Sequence, residues 1–139
     1  MNQPSSTVAR NSPFALFLFL KAMRCWTEAQ RARKPALPEL HARLGHLDFP
    51  QLLPAIDSLL TISQALLDRR LRTGSGTTLT RDENLLIDLL QGRPVSSLAH
   101  ICSDAMACTF CSALRSVQIL MDMEMGQAAP EAMAVRSAA

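Results

Sequence analysis

Apolar residues recur along this chain at helical spacing, and nowhere in the alternation with β-branched and aromatic residues that marks a half-buried strand. The first block predicts a helix from Pro13 to Arg33, with proline tolerated in its opening turn. Laid out at about 100° per residue, Lys21, Arg24, Glu28 and Arg31 fall on one narrow side. Leu16, Phe19, Leu20, Ala22, Met23, Cys25, Trp26 and Ala29 cover most of the remaining circumference, broader than the stripe of an ordinary surface helix. Such a helix is either the centre of a bundle or one side of a dimer. Phe17 departs from the pattern: it projects from the charged side between Lys21 and Arg24, where it would suit a partner anchor.

A short helix is expected over Leu37 to Leu44, stopped by Gly45. Asp48-Phe49-Pro50-Gln51 reads as a capping box opening a helix over residues 50–71. Its apolar face comprises Leu52, Ala55, Ile56, Leu59, Leu60, Ile62, Leu66 and Leu67, and the cations Arg69, Arg70 and Arg72 complement its C-terminal dipole. Pro54 fits only with a bend or a later start. Thr80-Arg81-Asp82-Glu83 is a second capping box, opening a helix that carries Leu85, Leu86, Leu89 and Leu90 on one side and ends at Gly92 and Pro94. A last helical region runs from Ser96 or Ser97 to Glu124, with a register slip near Ser103-Asp104 that divides it. Its second part packs through Met106, Phe110, Ala113, Leu114, Val117, Leu120 and Met121. The expected fold is all-α: a compact array or bundle of five to six helices without a sheet, over residues 13–125, between a disordered arm (1–12) and a flexible tail (126–139).

Composition supports one helical domain. The chain has 139 residues, 48% hydrophobic, but only 4% aromatic and no Tyr, so its core rests on Leu, Ala, Met, Ile and Val. The apolar run Phe14–Leu20 is short for a secretion signal, Lys21 and Arg24 follow it, and no run approaches the ~20 apolar residues of a membrane span. A cytoplasmic protein without membrane contact is expected, with reduced thiols.

Charge is unevenly placed. Residues 1–72 hold 10 Lys+Arg and 5 acids, whereas residues 73–139 hold 4 Arg and 7 acids. Arg24, Arg31, Arg33, Lys34, Arg69, Arg70 and Arg72 would form a basic patch if their helix ends meet, suited to nucleic acid or an acidic protein.

Candidate chemistry is sparse. His41, His46 and His100 sit in no nucleophile or metalloprotease pattern, and Thr73-Gly74-Ser75-Gly76 lacks the lysine of a phosphate loop, so no enzyme and no cofactor are expected. His100, Cys102, Cys108 and Cys111 place four soft ligands in twelve residues, a possible metal or redox set, against which stands the ordinary use of cysteine in helix packing. Leu79 to Glu83, with Leu86, Leu89, Leu90, Gly92, Leu98 and Ala99, resembles the opening of a LuxR-type DNA-binding domain. At the position of that family's recognition helix, Asp104 to Leu114 offers no Arg, Lys, Asn or Gln, and the chain is assigned to no family. The function expected is that of a small non-enzymatic interaction or regulatory protein, self-associating as a homodimer through Leu16, Phe17, Phe19, Leu20, Met23 and Trp26. A nucleic-acid-binding regulator and a thiol-based metal or redox sensor are the alternatives.

Overall fold

A computed structural model describes residues 12–93 and 104–125. These form five α-helices and no strand: α1 (Pro13–Arg31), α2 (Ala36–Leu44), α3 (Leu52–Leu67), α4 (Arg81–Leu90) and α5 (Asp104–Leu120). A 3-10 turn, Gly45–Leu47, follows α2, and a π turn, Met121–Met125, extends α5. The all-α array expected from the periodicity is therefore present. The expectations for residues 1–11, for a helix beginning near Ser96, and for the tail lie outside the described residues.

Helix α1 packs against α2, α3 and α4. Leu18, Phe19, Ala22, Met23 and Trp26 are almost fully buried, in one core cluster with Leu40 of α2 and Leu52, Ile56, Leu59 and Leu60 of α3. Trp26 also donates its indole N–H to Asp57 Oδ1 of α3 at 2.8 Å, so a bulky apolar side chain enters the core without an orphaned polar atom. Helix α5 lies along α3 and buries Phe110, Val117 and Met121. Much of the apolar breadth of α1 is thus covered within one chain. Phe19, Met23 and Trp26, expected at a dimer interface, belong to the monomer core.

Several helix ends differ from expectation. Helix α1 stops at Arg31 because Arg33 turns into the left-handed region (φ 58°). The Arg33 N–H then reaches the Gln30 carbonyl and the Lys34 N–H the Ala29 carbonyl, a Schellman closure. Ser12, expected in the disordered arm, caps α1 by accepting the Ala15 N–H.

The box expected at Asp48–Gln51 does not form. Asp48 is left-handed (φ 63°) and closes the 3-10 turn, while α3 begins at Leu52 after Gln51, which makes no side-chain cap. Pro54 sits in the first turn, where its missing N–H is harmless. The Leu52 N–H is instead taken by Glu124 Oε1 from the π turn, 2.9 Å away. Helix α3 also ends early, at Leu67, because Asp68 is left-handed (φ 55°). Arg69 to Arg72 therefore lie beyond the helix, and Arg69 turns to a carboxylate of α4 rather than to the α3 dipole. At the other end of α4, Gln118 of α5 donates to the Leu89 and Leu90 carbonyls.

Two Schellman closures with different residues at the left-handed position make a test. Gly92 (φ 92°) closes α4, with its N–H on Leu89 and that of Arg93 on Asp88, and a Cβ added there meets nothing within 4 Å. Gly92→Ala should therefore cost about 1 kcal/mol through backbone strain alone. Arg33→Gly should gain about 0.5 kcal/mol, the relief of strain being partly offset by unfolded-chain entropy. Urea denaturation of both variants measures the two opposite shifts.

Candidate functional site

The first turn of α4 places two acids, Asp82 and Glu83, side by side and both buried. The capping box forms as its spacing predicts: the Thr80 side chain accepts the Glu83 N–H, and Glu83 Oε1 accepts the Thr80 N–H at 2.8 Å. Both carboxylates also reach beyond their helix. Arg24 of α1 donates Nε to Glu83 Oε2 at 2.8 Å, and Arg69 donates both terminal nitrogens to Asp82 at 2.7 and 2.8 Å. Backbone N–H groups complete the shells, Gly74 on Glu83 and Arg72 on Asp82.

Burial pushes the Glu83 carboxyl up, but the hydrogen bonds from Arg24, Thr80 and Gly74 outweigh it and hold the group below its ordinary range. Asp82 is held low mainly by Arg69, against the effect of burial, with help from the Arg72 N–H. Both arginines are pushed up in turn.

These pairs shape the surface beside them. Arg24 also donates to the Gly76 and Thr78 carbonyls, and Thr73 meets Thr27 and Arg31, so the loop between α3 and α4 is drawn against α1. Between that loop, α1 and α2 lies a cleft of about 480 Å3, within the usual range of binding sites. Its apolar wall is Phe17, Leu20 and Leu44, and its charged rim is Lys21, Arg24, Arg43 and Glu28, with Gly76 and Thr77 on the loop side. Cys25 lines it too, but the thiol is buried, lies 3.7 Å from the Glu39 carbonyl, and is pushed up by burial, which makes it a packing group rather than a nucleophile. A second depression of about 260 Å3 adjoins the first, shares Phe17, Lys21, Arg43 and Leu44, and adds Phe14 and His46.

Of the six α1 residues expected at an interface, Phe17 is 56% exposed, Leu16 and Leu20 are half-buried, and Phe19, Met23 and Trp26 are inside. Phe14, also exposed, was not singled out by the periodicity, nor were Arg43, Leu44, Gly76 and Thr77. They come from separate segments: for Gly76 and Thr77 the signal was the opposite charge of the two halves, which Arg24 and Glu83 join, whereas nothing in the pattern brought Phe14, Arg43 and Leu44 together.

Of the seven basic residues, Arg24 and Arg69 are spent on buried carboxylates. Arg31 reaches Thr73 at 3.3 Å, beside Arg72, while Arg33, Lys34, Arg70 and Arg72 are exposed. Cys108 and Cys111 are exposed free thiols on α5, whereas His100 and Cys102 lie outside the described residues. Among the described residues no three His, Cys, Asp or Glu side chains are grouped to hold a metal, and no helix is long and apolar enough to cross a membrane. No protein-family model, curated protein or solved structure matches this chain.

The carboxylate pairs give a signed pH dependence. Because Asp82 and Glu83 titrate below their unfolded values, their stabilisation is present at neutral pH and is lost as the pH falls below about 4, through the depressed folded values. Glu83→Gln should cost about 2–3 kcal/mol at pH 7, because it leaves Arg24 without its partner. Denaturation measured from pH 7 to pH 3 should show the difference from the unaltered chain shrinking as acid is approached.

Proposed function

We propose that this chain is a small non-enzymatic helical interaction protein that holds a segment of a partner protein in the cleft between α1, α2 and the Gly74–Thr77 loop. The observation that carries this reading is Phe17. It stands exposed on a helix whose other large apolar groups are mostly turned inward, beside a concave apolar wall and under Lys21, whose Nζ lies 5.5 Å from the ring centroid. Phe is among the residues enriched at protein interfaces, and at the edge of an apolar depression it is placed to be covered by a partner. Exposed free thiols at Cys108 and Cys111 fit work in a reducing compartment such as the cytoplasm.

A nucleic-acid role draws support from one contact, that of Arg31 with Thr73, which brings the basic end of α1 to Arg72. The pairing of Arg24 and Arg69 with acids weakens it. Binding to mixed-sequence DNA at low salt that falls steeply as salt is added would favour that role.

Selection of a random-peptide display library on the folded chain tests the interaction reading. An enriched consensus should bind about tenfold more weakly to the Phe17→Ala variant, the loss usual for an aromatic anchor. A library that yields no consensus, or one indifferent to that substitution, removes the cleft as the functional site.

A further inference from the structure

Taking the cleft as the functional site, we infer that its occupant is an acidic amphipathic helix of a partner protein, with apolar side chains in the two depressions and carboxylates over Lys21 and Arg43. Three observations carry this. The first is the shape: the two depressions share Phe17 and Lys21 of α1, and beyond these one is lined by Phe14 and Leu18 and the other by Leu20, Arg24, Cys25 and Glu28, so their centres lie about one to two turns apart along α1. Side chains one or two turns apart on a single helix match that displacement, and an amphipathic helix laid in an apolar groove is an established recognition mode.

The second is charge. Lys21, Arg24 and Arg43 line the cleft against one acid, Glu28, and because buried Glu83 matches the charge of Arg24, Lys21 and Arg43 are the cations left to meet an occupant. Among the described residues Lys21 makes no ion pair. The Arg43–Glu28 pair is 2.8 Å long but more than half exposed on both sides, so it is weak and Arg43 can turn to an incoming carboxylate. The third is the comparison with a second copy of the chain. A two-fold contact through this face would bring together two copies of the same cation-rich rim, whereas an acidic helix neutralises it.

The test uses the full chain, a display library of random 16-residue peptides, and the variants Lys21→Glu and Lys21→Glu/Arg43→Glu, with thermal melting to show that each is folded. Peptides enriched on the unaltered chain should combine apolar residues at helical spacing with net negative charge. Their affinity should fall with added salt and drop about tenfold on the double variant, which should itself select basic peptides. If the double variant does not fold, Lys21→Glu alone carries the same reversal of preference. Enriched peptides that depend on Phe17 but carry no acidic bias would overturn this inference while leaving the cleft as the functional site. Two further results would also overturn it: Phe17-dependent binding to vesicles of phosphatidylserine and phosphatidylcholine without peptide enrichment, and a Phe17-dependent dimer in light scattering.

Discussion

Two neighbouring carboxylates with opposite reaches organise this molecule. Glu83 draws Arg24 and Gly74 toward the start of α4, and Asp82 draws Arg69 and the Arg72 N–H. A buried acid is tolerated only when its charge is matched and its oxygens are hydrogen-bonded, and here each acid meets both demands with groups from outside its helix. The cost of burial thus becomes a positional constraint. Helix α4 sits where both arginines are in reach, and the connecting loop is pinned at Thr73, Gly76 and Thr78. Without these pairs the first turn of α4 would be held by apolar packing alone, a contact with little directional preference, while Gln118 fixes only its far end.

The cleft follows from that placement. Its loop wall exists because Arg24 holds the Gly76 carbonyl, and its opposite wall exists because α2 folds back on α1 after the Schellman turn at Arg33. The apolar breadth of α1 therefore has two destinations. Phe19, Met23 and Trp26 unite α2 and α3 around it, while Phe17 and half-buried Leu20 line the one side that no other element covers fully.

What sequence pattern reveals here depends on the range of the interaction. The box at Thr80 and the glycine stop at Gly92 need only residues three to five positions apart, and both form where their spacing predicts. The same pattern at Asp48–Gln51 misled, because the first turn of α3 draws its cap from Glu124, a partner 72 positions away. Left-handed turns at Arg33, Asp48 and Asp68 were equally hidden, since none is a glycine. The site was half visible: the isolation of Phe17 on a charged face showed from spacing alone, but Leu44, Arg43 and Gly76 join it only through tertiary folding. The +5 and −3 balance of the two halves was a trace of the Arg24–Glu83 and Arg69–Asp82 pairs, yet charge sums do not say which side chains meet.

The distant caps of α3 and α4 also order events in time. During synthesis all of α3 is made by residue 67, yet its Leu52 N–H waits for Glu124, and the Leu89 and Leu90 carbonyls wait for Gln118. A ribosome-bound chain that lacks the last turns of α5 holds α3 with one end open and without the cover of Val117 and Met121. The middle of the protein is therefore completed by residues that follow it, and the step that covers the core also completes the hydrogen bonding of helices made earlier.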